Sequence, residues 1–391
     1  MSNVSKNITI SKGNRLLRWD ITKGCNLNCK HCITSHMYDN INELSKAEKL
    51  ELIRKAANDG VTKIHLLGGD PLILPYIDEI IEECTKNNIY VSLNTNGHRL
   101  DKDIALCELF AKNNVGVSFS VDGGNKKSHD IMRGSGSFDI VMKAAENYGK
   151  AISKYEQQII SAFYITLTPD NMNDDFSELF AIAQEYHINN IILGVLIPKG
   201  AGEKNYDSTE LTIDRIISKT EDFVKLGMKY KDIKVSFPYQ TPLLLKYLNE
   251  TLGTNYGLCY TKCKAGITDY QLQIDGSIFP CVYINDPLEG SKILDPKEVR
   301  SNNNFLHHSI EEIVKNDFFT PFYECLEKPE NFSHVSPCNK CPYCNVLDIC
   351  RPCAHQHINN NSDVPEFHRN KICEEILVRN GNNFYFNKKE E

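Results

Sequence analysis

The sequence predicts an α/β chain: a partial (β/α)6 barrel of the TIM type, then a small cysteine-rich domain with a β-hairpin. Three observations carry this. From Leu16 to about Pro198, short β-rich runs alternate with longer amphipathic stretches, the pattern of a parallel sheet built from βα units. Thirteen of the fifteen cysteines fall in two dense groups, three between positions 25 and 32 and ten between 259 and 373. Within the second group, Asp275-Gly276 between β-patterned runs marks a tight hairpin.

The candidate strands are Leu16 to Thr22, Lys63 to Leu67, Tyr90 to Thr95, Gly116 to Val121, Ile159 to Leu167 and Ile191 to Ile197. Six βα units are two short of a closed eight-stranded barrel, so the sheet stays open on one side and can admit a bulky substrate. Between the strands, Ser45 and Glu48 form a capping box that opens a helix ending near Gly60. Further helices are expected over Ile77 to Lys86, Asp101 to Lys112, Phe138 to Lys154 and Asp174 to Tyr186. Cys84 and Cys107 sit among apolar neighbours at helical spacing and read as buried packing residues. After Pro198 comes a Gly/Lys/Asn-rich linker, then an amphipathic helix using Ile213, Ile216, Ile217, Phe223 and Val224. The expected organisation is residues 1–198 as the barrel, 199–255 as a bridge and 256–391 as the cysteine-rich domain.

Composition narrows the function. The 41% hydrophobic content can bury a substantial core. No run approaches the ~18 apolar residues that cross a bilayer, and the polar opening has no secretory apolar segment. A cytoplasmic protein is expected, with no membrane partner. A formal net charge of −7 and the lack of a long basic stripe argue against nucleic-acid binding. In a reducing compartment, fifteen cysteines point to metal ligation rather than disulfides.

The chemistry starts at Cys25, Cys29 and Cys32, spaced C-x3-C-x2-C directly after the first strand. Three thiolates at this spacing can hold three irons of a four-iron cluster and leave the fourth free for a small molecule. Three thiolates on a loop also suit a zinc ion. In parallel barrels chemistry sits at the carboxyl ends of the strands, and later motifs fall at such ends. Gly68-Gly69-Asp70-Pro71 follows the second strand. Its glycines permit close backbone approach, and its carboxylate can accept hydrogen bonds from an ammonium group; the same residues also make an ordinary turn. The fourth strand ends Ser118-Phe119-Ser120-Val121-Asp122-Gly123, where alternation puts Ser118, Ser120 and Asp122 on one side. His129-Asp130 and Arg133-Gly134 follow.

These motifs together resemble the radical S-adenosylmethionine (SAM) enzymes. The resemblance implies that Cys25, Cys29 and Cys32 bind a [4Fe-4S] cluster that reduces SAM to methionine and a 5′-deoxyadenosyl radical, which abstracts hydrogen from an unactivated C–H bond. Gly68, Gly69 and Asp70 stand where the family carries G-G-E-P, which holds the SAM amino group; the departure is Asp70 for Glu. Ser120, Asp122 and Arg133 then fall near the SAM ribose and carboxylate; Thr166 and Leu196, near the ends of the fifth and sixth strands, fit positions near the nucleoside and equally fit ordinary core positions. His31, inside the cysteine loop, is expected to face solvent or to support the loop. An external flavodoxin-like or ferredoxin-like electron donor is implied.

The second cysteine group resembles the SPASM extension of the same family. Cys263 is followed by twelve residues, Gly276, four residues and Cys281, as in that pattern. Cys341, Cys344, Cys350, Cys353 and Cys373 follow, with one residue fewer between Cys350 and Cys353 than the pattern has. The resemblance implies two auxiliary [4Fe-4S] clusters, one on Cys259, Cys263, Cys281 and Cys353, the other on Cys341, Cys344, Cys350 and Cys373. Cys325 and Cys338 are surplus and permit a shifted register, and paired C-x2-C units also bind zinc. The extension suggests modification of a ribosomally made peptide, including cross-linking. Sulfatase maturases are a poor match, because Val282 stands where they carry an Asp after the Pro-Cys of the hairpin. Only 24 residues precede Cys25, so peptide-leader recognition is expected from elsewhere. Trp19-Asp20-Ile21-Thr22-Lys23-Gly24-Cys25 also resembles tetrapyrrole-modifying relatives in haem biosynthesis, the first alternative. A non-catalytic iron–sulfur or zinc protein is the second.

Overall fold

The computed structural model describes residues 13–155, 159–239, 241–254, 264–281, 296–316, 318–319 and 368–379. Its elements in chain order are β1 (Arg15–Thr22), α1 (Lys46–Asn58), β2 (Val61–Gly68), α2 (Ile77–Lys86), β3 (Tyr90–Thr95), α3 (Ile104–Lys112), β4 (Gly116–Ser120), α4 (Lys126–Arg133) and α5 (Ser137–Ile152). There follow β5 (Ser161–Leu167), α6 (Ser177–Glu185), β6 (Asn190–Val195), α7 (Ala201–Asn205), α8 (Ile213–Lys229), β7 (Lys234–Ser236) and α9 (Pro242–Leu252). The described chain closes with β8 (Asp269–Leu272), β9 (Ile278–Phe279), α10 (Pro296–Asn302), α11 (Ile310–Ile313) and α12 (His368–Arg379).

All six expected strands form and lie side by side in one sheet of order β7-β6-β5-β4-β3-β2-β1-β8-β9. Strands β1 to β8 pair in parallel, and only β9 runs antiparallel, against β8. The sheet thus has three strands beyond the six-unit expectation. β7 has three residues, too few to show alternation. β8 lies far along the chain, yet Leu16 to Trp19 of β1 pair with Asp269 to Leu272. The expected hairpin is present: Gln271 pairs with Phe279 and Leu272 with Ile278. Its turn places Gly276 at φ 85°, where an L side chain is disfavoured.

Alternation along the strands separates two faces. On β1, Leu17, Trp19 and Ile21 are fully buried against the layer of helices. Arg18, Asp20 and Thr22 point the other way, in line with His65, Ser92, Asn94, Ser118 and Ser120 of the next strands. The register confirms neighbours across this polar face: Arg18 with His65, His65 with Ser92, and Asn94 with Ser118. The apolar face packs on helices such as α2, whose Ile77, Ile80, Ile81 and Cys84 are all buried. Cys84 and Cys107 are completely buried, as their apolar neighbours suggested. The capping box is also realised, Ser45 Oγ accepting from the Glu48 N–H while the Glu48 carboxylate accepts from the Ser45 N–H. No helix among the described residues is long and apolar enough to cross a membrane.

Candidate radical-generating site

The loop leaving β1 carries Cys25, exposed, and Cys29 and Cys32, both half-buried. Its first residues extend the sheet by backbone pairing with the turn after β2: the Gly69 N–H donates to Thr22 O at 2.8 Å and the Asp70 N–H to Gly24 O at 2.8 Å. This is why glycines stand there. A Cβ on Gly68 would lie 2.3 Å from Thr22 O, and one on Gly69 1.9 Å from Gly24 O. The close approach is to the backbone leading into Cys25.

Asp70 is buried and joins three segments. Its carboxylate accepts from the Leu72 N–H (2.9 Å), the Thr95 hydroxyl (3.0 and 3.1 Å) and the Asn96 N–H (2.8 Å). Burial pushes this carboxyl up to about 6 in spite of those donors. Through Asp70, β2 holds Asn96, whose side-chain amide donates to Asn26 Oδ1 at 2.9 Å and reaches Cys25 Sγ at 3.8 Å. Asn96 was not singled out from the sequence. Its place at the carboxyl end of β3 was a signal that could have flagged it.

At the end of β4, Asp122 is fully buried and organises a second polar centre. Oδ2 accepts from Arg133 Nε and lies 3.1 Å from His31 Nε2; Oδ1 accepts from the Thr166 N–H at 2.7 Å. Burial alone would raise this carboxyl, but the Arg133 guanidinium and the His31 ring hold it well below the usual carboxylate range. Burial and nearby Arg133 push His129 down to about 4, so its ring is neutral and Nδ1 accepts from the Asp122 N–H at 3.2 Å. Asn171 donates to Asp122 O and to Thr166 O; nothing in the sequence pattern pointed to it. In the His-Asp-x-x-Arg-Gly run, Asp130 caps α5 by accepting from the Gly136 and Phe138 N–H groups at 2.8 and 2.9 Å, and Gly134, at φ 115°, terminates α4.

The two centres meet at the cysteine loop. Arg133 Nη1 lies 3.7 Å from Cys29 Sγ and Nη2 3.5 Å from His31 Nε2. The Lys30 N–H donates to Met132 O at 2.9 Å, fixing the loop to the end of α4. Cys25 Sγ accepts from the Leu27 N–H at 3.5 Å, and Cys32 Sγ lies 3.4 Å from Thr34 Oγ1. His31 is buried rather than solvent-facing, because Asp122 draws it inward. Burial pushes the Cys29 thiol up to about 11, with Arg133 opposing, and burial raises Cys25 as well. Metal binding releases the protons of such thiols. Among the described residues no three His, Cys, Asp or Glu side chains converge as the ligands of one metal ion. Three thiolates suit a cluster, which takes each on a separate iron, and N–H groups of Leu27, Asn96 and Arg133 already approach the Cys25 and Cys29 sulfurs.

Ser120 is half-buried on the polar face two residues before Asp122. Thr166 enters the site through its backbone N–H. Leu196 is buried in the apolar core, its N–H donating to Leu167 O at 2.9 Å. Of the distal cysteines, Cys281 follows the hairpin and Cys373 lies on α12 with its Sγ 3.4 Å from Thr241 Oγ1. Cys259, Cys263, Cys341, Cys344, Cys350 and Cys353, with the surplus Cys325 and Cys338, lie outside the described residues.

Comparison with known proteins places these features. The family model described as the Radical SAM superfamily matches residues 19–183. A mycofactocin maturase, MftC, of Mycolicibacterium smegmatis is 30% identical over 199 residues, which is 51% of this chain and 49%, about half, of that relative's length. An AdoMet-dependent heme synthase of Methanosarcina barkeri is 30% identical over 353 residues, covering 88% of this chain and 93% of the relative. Among solved structures, Streptococcus suis SuiB bound to S-adenosylmethionine superposes with a TM-score of 0.66 at 18% identity, covering 93% of this chain and 78% of that one. The enzyme anSMEcpe with bound AdoMet gives 0.65 at 18% identity, with coverage of 93% and 95%. At such identities these two likenesses concern the fold.

Proposed function

This chain belongs to the Radical SAM superfamily, and from that premise we propose that it modifies a ribosomally made peptide at a C–H bond, including by cross-linking. The observation that carries the site is the cysteine loop, locked by backbone to the turn after β2 and flanked by Asn96 and Arg133. When bound, a [4Fe-4S] cluster and SAM supply reductive cleavage to methionine and a hydrogen-abstracting 5′-deoxyadenosyl radical. Cys25, Cys29 and Cys32 would hold that cluster. The turn at Gly68 and Gly69 sets the loop's height above the sheet, and Asp70 fixes Asn96 beside it. Ser120, Asp122, Arg133 and Thr166 form the polar edge that would face SAM, with Leu196 as an apolar neighbour. The polar face of the sheet, lined by Arg18, His65 and Ser92, would take the substrate; burial and nearby Arg18 push His65 down to about 3, which favours its neutral ring.

The peptide reading is supported by the maturase name of the mycobacterial relatives and by the SuiB structure bound to precursor peptide SuiA, which has a TM-score of 0.65. Two auxiliary clusters in residues 256–391, after the barrel at 1–198 and the bridge at 199–255, complete the reading, with a flavodoxin-like or ferredoxin-like donor. A second reading, modification of a tetrapyrrole, has its own support in the heme-synthase relative matched over nearly its whole length. One experiment separates them. The reconstituted protein is incubated anaerobically with SAM, a reductant and a short peptide encoded beside its gene, then with an iron porphyrin, and products are read by mass spectrometry. Loss of two hydrogens within the peptide is expected; an unchanged peptide with turnover of the porphyrin would overturn the first reading in favour of the second.

A further inference from the structure

We propose that Arg133 is a positioning residue that sets the reduction potential of the cluster on Cys25, Cys29 and Cys32 by presenting a charged N–H to the Cys29 sulfur, and that Asp122 limits this effect. The inference rests on the site assignment above and extends it.

Three observations carry it. Arg133 Nη1 lies 3.7 Å from Cys29 Sγ, the only guanidinium contact made to a loop cysteine among the described residues. The guanidinium cannot turn away easily, because Nε donates to Asp122 Oδ2, Nη2 lies against His31, and the Arg133 side chain is only 11% exposed. Asp122 is in turn fixed on both oxygens, by Arg133 and His31 on one and the Thr166 N–H on the other. The three sulfurs are not equivalent in this respect. Among the described residues, Cys25 meets neutral donors from Leu27 and Asn96, Cys32 lies against the neutral Thr34 hydroxyl, and Cys29 meets the Arg133 cation.

Reducing the cluster adds one electron from an external donor and one negative charge, with no bond or proton changed. Hydrogen bonds to the sulfurs and nearby charge are levers on such potentials. A cation held against one thiolate favours the more negative state and raises the potential. A carboxylate one guanidinium further away opposes it, and low local dielectric keeps both effects from being screened out. Arg133 therefore makes the cluster easier to reduce, and Asp122 keeps that gain partial while holding the cation in place.

The test is potentiometry on the reconstituted full chain without SAM, followed by low-temperature EPR. The relevant signal is the one absent from the C25A/C29A/C32A variant. Expected are a more negative midpoint in Arg133→Gln, a more positive one in Asp122→Asn, and a near-native one in Arg133→Lys. Far-UV circular dichroism and iron content verify that each variant is folded and loaded. If Arg133→Gln loses the cluster, Asp122→Asn and Arg133→Lys decide. A midpoint that stays at the native value or moves positive in Arg133→Gln, or that stays at the native value or moves negative in Asp122→Asn, would overturn the inference. A wild-type protein that takes up no such cluster would instead reject the site assignment itself.

Discussion

At the scale of single residues, the ion pair between Arg133 and Asp122 governs how firmly the site is built. With the carboxylate fully buried and the guanidinium nearly so, removing one partner strands the other. Replacing Arg133 with Ala should therefore cost about 3–5 kcal/mol in chemical denaturation, the range for breaking a buried pair. The pH dependence has a definite sign. Asp122 is held below its unfolded value, so its contribution is present above the unfolded pKa and fades as pH falls through the far lower folded one. The stability difference between the wild type and Asp122→Asn should be constant above about pH 5 and shrink below about pH 4, where an unfolded carboxyl begins to bind protons. Denaturant titrations at several pH values check this; a gap that widens with acid would contradict it. What could be read at this scale was whatever is local in sequence. The C-x3-C-x2-C spacing announces itself, whereas Asn96, Asn171 and the inward turn of His31 depend on partners 26 to 102 residues away.

At the scale of elements, the junction of β1 with the turn after β2 is the feature on which the cysteine loop depends. A methyl group at Gly69 would meet Gly24 O at 1.9 Å, so Gly69→Ala must push the two backbones apart just before Cys25. Overpacking of this kind costs about 1–3 kcal/mol, and iron bound at the loop should fall with it. Retained stability and iron in that variant would show that the loop does not need the contact. By contrast, Ser45→Ala removes only the cap of α1. It should cost about 1 kcal/mol without changing iron content, as thermal unfolding and metal analysis would show. Helices α1, α2, α3, α5, α6 and α8 and the first six strands were legible because each carries its own periodicity, whereas α4, α7 and α9 to α12 were not read from the sequence. The glycine pair was legible as a close backbone approach, but its true partner, the chain entering Cys25, required the fold.

At the scale of the molecule, a parallel sheet carries the proposed chemistry at the carboxyl ends of its strands, and the later segment contributes β8 to its far side. That pairing with β1 could not be read from the sequence, since strands some 250 residues apart leave no local sign of their register. The hairpin after β8 could be read, because Asp275-Gly276 is a local signal. The central claim is that Cys25, Cys29 and Cys32 hold a cluster that cleaves SAM, separately from iron bound further along the chain. The most direct measurement is 5′-deoxyadenosine formation by the reconstituted C25A/C29A/C32A variant with SAM and reductant, with iron and sulfide counted in the same sample. In this variant 5′-deoxyadenosine should be abolished while roughly eight irons remain, four for each auxiliary cluster; undiminished formation of 5′-deoxyadenosine would show that these three cysteines do not hold the SAM-cleaving cluster.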